Sequence, residues 1–173
     1  KFRINAQTGR ISVNSKLDYE EQQLYVIEVQ ALDGSESDQK LGYTKIHLHL
    51  LDLNDNAPII SPNVIAVSIP EDVPAQAIVT SINAFDPDTG MGGRLRYKFT
   101  ETVKKFKIDS ETGIIRVRRP LDYERKMFYN LTVEVVDRGN PSLSSRAHVI
   151  IKIADVNENN LPPKFSGRPL LRG

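Results

Sequence analysis

Apolar and polar residues alternate along most of this chain. Tyr129, Leu131, Val133 and Val135 are interleaved with Asn130, Thr132 and Glu134, the period-two signature of a half-buried strand. Further on, Val149, Ile151 and Ile153 take one face while His148, Ile150 and Lys152 take the other. Ile46, Leu48 and Leu50 show the same spacing earlier in the chain. Turns rich in Gly, Pro, Asn and Asp separate the short strands, and no stretch carries a convincing 3.6-residue period. The pattern predicts an all-β sandwich. Thr8-Gly9 and Thr112-Gly113 suit hairpin tips, where glycine takes positive φ without steric cost.

The alternation occurs twice. At an offset of 104, Phe2 aligns with Phe106, Thr8-Gly9 with Thr112-Gly113, and Ile11 with Ile115. Leu17-Asp18-Tyr19-Glu20 returns as Leu121-Asp122-Tyr123-Glu124, Tyr25 as Tyr129 and Asp33 as Asp137. Such a period is a domain length, too long for a solenoid unit.

Several inward-facing series end on acids. Asp137 extends the Tyr129–Val135 series, Asp155 extends Val149–Ile153, and Asp52 extends Ile46–Leu50, while Asp86 and Asp88 extend Ile82 and Ala84. Carboxylates from several strands should therefore meet at the poles of the sandwich. The densest run is Asp52-Leu53-Asn54-Asp55-Asn56-Ala57-Pro58, with a variant at Asp155-Val156-Asn157-Glu158-Asn159. A packed core would not accept so many polar groups without a compensating cation. All-oxygen donors in a flexible run suit Ca²⁺, whereas a softer metal would want His or Cys.

Composition narrows the alternatives. The 173 residues contain no Cys and no Trp, which removes disulfides and thiolate metal sites. The net charge of +1 hides segregation, because more than half of the 22 acidic residues fall in the candidate clusters. No run of 18 apolar residues is present, so no helical membrane span is expected. No signal peptide is evident, and the chain opens mid-pattern on Lys1-Phe2, as a fragment would.

In the order and spacing of their motifs, these residues resemble tandem extracellular cadherin repeats over essentially the whole chain. The motifs are Pro70-Glu71-Asp72, Ala84-Phe85-Asp86-Pro87-Asp88, the two Leu-Asp-Tyr-Glu tetrads, Asp137-Arg138-Gly139-Asn140-Pro141 and the two acidic linkers. The resemblance implies seven-stranded Greek-key sandwiches of immunoglobulin-type architecture joined end to end. Residues 1–56 would be the last four strands of one repeat with its linker, 57–161 a complete repeat, and 162–173 the start of a following segment. The strands completing the first repeat, with its first-strand glutamate, would come from upstream of Lys1 or from another chain; both sources are open.

By the same resemblance, about three Ca²⁺ would sit at the complete junction. Their ligands would be Asp18 and Glu20, then Asp52, the Leu53 carbonyl, Asn54, Asp55 and the Asn56 carbonyl, then Asp86, Asp88 and Asp137. Gly92 stands where the family has an Asn that donates its carbonyl, a change a backbone donor tolerates. A second junction would use Glu71, Asp122, Glu124, Asp155, Asn157, Glu158 and the Asn159 carbonyl, with Glu158 replacing the usual aspartate. Asp33 would serve the junction before the first repeat. Two unit charges about 4 Å apart repel by roughly 4 kcal/mol at the effective dielectric of a partly exposed site, so without metal such a joint should splay.

The function implied is calcium-dependent cell–cell adhesion, or a receptor ectodomain segment stiffened by Ca²⁺. It would act outside the cell in a single-pass plasma-membrane protein, with other cadherin-type ectodomains as partners. No catalysis is expected, since no Ser, His and Asp arrangement suggests a nucleophile. An alternative is a glycan- or ligand-binding module using the basic strand faces Arg94, Arg96, Lys98 and Arg116, Arg118, Arg119. Nucleic acid is disfavoured, because those strands lack interleaved exposed aromatics. His47 and His49 share a strand face without a third His nearby, and read as solvent-facing residues rather than metal ligands. Tyr19, Tyr25, Tyr123 and Tyr129 read as packing residues. Asn130-Leu131-Thr132 is an N-glycosylation sequon with Asn130 on the outward parity.

Overall fold

A computed structural model describes residues 1–34 and 40–156. The described residues form thirteen β-strands and no helix. The described residues divide into two compact units: 1–34 and 40–58 with 85–95 and 137–143, and 59–84 with 96–136 and 144–156.

The second unit is a β-sandwich. Its four-stranded sheet runs β6 (Val64–Pro70), β13 (Ser144–Ala154), β12 (Phe128–Val136) and β9 (Arg96–Phe99). Strand β6 lies parallel to β13, and the other pairs are antiparallel. The facing sheet is β10 (Phe106–Ile108), β11 (Ile114–Val117) and β7 (Ile78–Ser81), with a register irregularity between Ile115 and Arg116. The two-residue strands β5 (Ile59–Ile60) and β8 (Ala84–Phe85) form a separate two-stranded sheet.

Alternation does what the sequence predicts in this unit. Val133, Val135, Val149, Ile151 and Ile153 are wholly buried from one sheet, and Ile115 and Val117 from the other. The Phe106 ring meets Tyr129 edge-on, centroids 5.1 Å apart. It thereby ties β10 to β12, an arrangement that favours the ring quadrupoles beyond simple burial. On the outward face Glu134 bridges Lys98 at 2.9 Å and Arg146 at 3.1 Å, across three strands. The Lys98 and Arg146 hydrogen bonds hold its carboxyl below the usual range.

The first unit carries two hairpins, β1 (Phe2–Ile4) with β2 (Ile11–Val13) and β3 (Leu24–Leu32) with β4 (Leu41–His49). Phe2 and Tyr25 repeat the edge-on ring contact at 5.1 Å. Far less of this face is covered. Val13 is 56% exposed where its repeat equivalent Val117 is fully buried.

Both small hairpins turn by one device. Asn5 Oδ1 accepts from the Gln7 and Thr8 amides, and Asp109 Oδ1 from Glu111 and Thr112. A glycine with φ of 68° then closes each tip, at Gly9 and Gly113. Their surroundings differ. A Cβ at Gly113 would lie 2.9 Å from the Ile82 carbonyl oxygen and the Tyr97 ring, while nothing lies within 4 Å of one at Gly9. Gly9→Ala should therefore cost only the left-handed backbone penalty, about 1–2 kcal/mol. Gly113→Ala should add overpacking of roughly 1–3 kcal/mol. Urea midpoints of the two variants check this, and equal losses would refute it.

Candidate metal centre

In the first unit the acidic run 52–58 lies against the loops at 85–95 and 137–143. Three of the acids are held by backbone amides of their own loops. Asp18 Oδ1 accepts from the Glu20 and Glu21 amides at 3.0 and 3.1 Å, and Asp86 Oδ1 accepts from the Asp88 amide at 3.0 Å. Asp137 Oδ1 takes the Gly139 and Leu143 amides at 3.1 and 3.0 Å. Asp86, Asp88 and Asp137 are all buried.

The run itself is stitched to these groups. Asn54 Nδ2 donates to Asp137 Oδ2 at 2.8 Å and to the Pro141 carbonyl at 2.7 Å. Asn56 donates to Asp88 through both its amide and its Nδ2, at 3.2 and 2.7 Å. Asp55 Oδ1 accepts from Asn56 Nδ2, and the Asp55 amide donates to the Leu53 carbonyl. Thr89 donates from its amide at 2.6 Å, and from its hydroxyl, to Asp52 Oδ2.

These bonds leave the other oxygens bare. Asp52 Oδ1, Asn54 Oδ1 and Asp86 Oδ2 are buried with no hydrogen-bond partner, a costly state for polar atoms. Glu20, Asp52 and Asp88 each bring a carboxylate oxygen within 4.8 Å of the others. Oxygens bound at 2.3–2.6 Å to one Ca²⁺ can lie no more than about 5 Å apart. The donor set is all oxygen, and three of its buried oxygens lack a partner. It fits calcium.

Electrostatics point the same way. Loss of water raises the Asp86 carboxyl, and the charges of Asp88, Asp137 and Asp52 raise it further. Glu20 is raised by loss of water too, with Asp52, Asp18 and Asp55 adding to the effect. Asp52 moves down, chiefly because the Thr89 hydroxyl donates to it. The acids repel one another where no cation separates them.

Gly92 is buried, and a Cβ there would run into Asn54 Oδ1 and the Asp88 side chain; one at Gly139 would run into the Asn54 carboxamide. Asn54 thus occupies a cradle that two glycines keep open. Thr89 was in none of the motifs the sequence singled out, and Gly139 and Pro141 stood in the Asp137–Pro141 motif without a role at the site. The signal for Thr89 was a hydroxyl directly after Asp88.

In the second unit Glu71, Glu124 and Asp155 form a matching group within 4.8 Å. Glu71 is buried and accepts the Tyr123 amide at 2.8 Å and the Val156 amide at 3.2 Å. Asp122 turns its loop as Asp18 does, accepting the Arg125 amide at 2.8 Å. Asn157, Glu158 and Asn159 lie outside the described residues. Asp33 is not drawn into either group; it closes the β3–β4 end by accepting the Lys40 amide at 3.0 Å.

Two of the basic strand residues are engaged within the chain. Lys98 is engaged with Glu134, and Arg116 donates to the Gln76 carbonyl at 3.1 Å. His47 and His49 are exposed along β4.

Comparison with known proteins places the chain. The model of the cadherin domain matches residues 1–51 and 65–154, and the chain belongs to the cadherin family. The Fat-like cadherin-related tumor suppressor homolog of Drosophila melanogaster is 36% identical over 170 residues, covering 95% of this chain and 4% of that protein. The mouse (Mus musculus) cadherin EGF LAG seven-pass G-type receptor 1 is 37% identical over 169 residues, covering 95% and 6%. Among solved structures, mouse cadherin-23 EC22-24 matches with a TM-score of 0.84 and 32% identity, covering 90% of this chain and 50% of that one. The chain thus spans 4% and 6% of the length of these two curated relatives. Cadherins are extracellular adhesion proteins of membranes rather than enzymes, and their domains bind Ca²⁺ at repeat junctions. Among the described residues no helix is long and apolar enough to cross a membrane.

Proposed function

We propose that this chain is a calcium-stiffened segment of a cadherin ectodomain, acting in calcium-dependent adhesion or reception at the cell surface. The observation that carries the reading is the set of bare buried oxygens on Asp52, Asn54 and Asp86 beside the Glu20–Asp52–Asp88 group. Residues 1–56 serve as the end of one repeat with its linker, 57–161 as a complete repeat, and 162–173 as the start of a further segment. About three Ca²⁺ are held by Asp18, Glu20, Asp52, the Leu53 carbonyl, Asn54, Asp55, the Asn56 carbonyl, Asp86, Asp88 and Asp137, with Gly92 lending its carbonyl. The second cluster holds further Ca²⁺ through Glu71, Asp122, Glu124 and Asp155, joined by Asn157, Glu158 and the Asn159 carbonyl.

Bound calcium supplies positive charge that offsets the crowded carboxylates and cross-links the linker to the loops beside it. Extracellular calcium modules bind at roughly 10⁻⁴ to 10⁻³ M, so the linker would be stiff outside the cell and slack in the cytosol. The parent is a plasma-membrane protein of single-pass type, and its partners are other cadherin-type ectodomains. Lys98 and Arg116, one from each basic strand face, are engaged within the chain, which speaks against a glycan-binding role.

Limited proteolysis tests the reading. With millimolar Ca²⁺ the stretch from Leu53 to Ile59 should resist cleavage, and excess chelator should open it selectively. Equal protection in both conditions would end the proposal.

A further inference from the structure

The outward face of the four-stranded sheet carries an apolar strip that the calcium reading leaves unused. Phe128 is 51% exposed and Ile150 is 38% exposed. Both flank Asn130, an exposed residue and the third of nine in β12. Phe128, Asn130 and Thr132 share the outward parity of that strand, because successive side chains alternate faces. Across the ladder Ile150 is the register partner of Asn130, and on its far side Ile150 pairs with Ala66 of β6. Directly opposed residues bring their Cβ atoms to about 4.5–5.5 Å. Asn130 is thus flanked along its strand by an aromatic ring and across the ladder by a branched aliphatic group.

We propose that Asn130 carries an N-linked glycan whose first N-acetylglucosamine packs on Phe128 and Ile150, covering this strip. Asn130-Leu131-Thr132 meets the requirement of an acceptor sequon. In the transfer, the Asn130 carboxamide nitrogen forms a bond to the anomeric carbon of a lipid-pyrophosphate-linked oligosaccharide. The anomeric C–O bond breaks, the lipid pyrophosphate leaves with the bonding pair, and one amide proton is lost to base. No oxidant or reductant is needed.

Position decides what the sugar does afterwards. The apolar C–H face of a pyranose can lie on the negative face of an aromatic ring, as other partially positive groups do. Phe128, two residues before Asn130 on the same face, offers such a ring. Ile150 supplies the adjoining apolar surface, and covering both removes exposed hydrophobic area from water. This inference depends on the chain residing outside the cell and not on calcium, so either can fail alone.

The full 173-residue chain secreted from mammalian cells provides the test. Peptide mass mapping before and after amidase treatment should place a glycan on Asn130, and Asn130→Gln and Thr132→Ala should each remove it. Trimmed to one sugar, the glycan should show its N-acetyl methyl proton resonance displaced by the Phe128 ring current. Phe128→Leu should keep the glycan and abolish that displacement. The glycosylated chain should melt about 4 °C above Asn130→Gln, as expected for one aromatic contact on a domain of this size, and Phe128→Leu should erase the difference. An unmodified Asn130 overturns the proposal. So does a glycan whose methyl resonates as in free sugar and whose presence leaves the melting temperature unchanged.

Discussion

Asp86→Asn should make the chain more stable without calcium and less stable with it. The Asp86 carboxyl is buried and raised by loss of water and by the neighbouring charges of Asp88, Asp137 and Asp52. A carboxyl with a raised folded pKa opposes folding once pH climbs past its ordinary value, because the ionised form is the disfavoured one. In chelator, stability contributed by this group should therefore fall as pH rises towards and through the raised value, and neutral Asn should escape that loss. The substitution keeps an Oδ1 to accept the Asp88 amide. Calcium reverses the sign, since an ion beside the carboxylate favours the charged form. Losing one directly bound charge should weaken calcium binding by about 100-fold or more, since even at an effective dielectric near 20 contact charges interact by several kcal/mol. Thr89→Ala, which only releases Asp52 Oδ2, should cost nearer 10-fold, as groups that orient a ligand usually do. Melting curves in calcium and in chelator check the crossing. A variant destabilised equally in both would show that Asp86 is an ordinary structural acid.

The second large effect belongs to the core. Phe106→Ala should destabilise the sandwich by about 3–5 kcal/mol, a large share of the roughly 5–15 kcal/mol typical of a domain. Phe106 is 1% exposed and makes the edge-on contact with Tyr129. Its repeat equivalent Phe2 makes the same contact with Tyr25 at 5.1 Å but is only half-buried. Phe2→Ala should therefore cost about half as much or less, because transfer free energy follows the area removed from water. Hydrogen exchange at the Val133 and Val149 amides would register the first loss and not the second. Equal losses would mean that the two ring pairs carry the same load despite their unequal cover.

The reason the acids could be placed from sequence is parity. Tyr129, Leu131, Val133 and Val135 are all buried, and Asp137, next in the same series, is buried with them. Asp86 and Asp88 follow Ile82 inward in the same way. Asp155 departs from that trend and is exposed, although its carboxylate still meets Glu71 and Glu124. The all-β architecture was legible for the same reason, with the Thr8-Gly9 and Thr112-Gly113 pairs marking the tips.

Other parts were not legible. Nothing in a one-dimensional pattern says that Thr89 reaches Asp52 across 37 positions, or that Asn54 finds the Pro141 carbonyl across 87. Such contacts depend on how loops close, and loops carry no period. Gly92 read as a neutral replacement for a carbonyl donor. Its more demanding role, leaving room for the Asn54 side chain, is a matter of ångströms that only coordinates reveal. The unequal cover of Val13 and Val117 likewise depends on which strands face them, not on the residues themselves.

Crystals grown in millimolar calcium chloride would examine the metal centre at the level of single atoms. Cation density should appear about 2.3–2.6 Å from carboxylate oxygens of Asp52, Asp86 and Asp88, with the bare Asp52 Oδ1 and Asp86 Oδ2 among the contacts. Density for water alone around those oxygens, with the Asp52 and Asp88 carboxylates turned apart, would contradict a calcium-held linker.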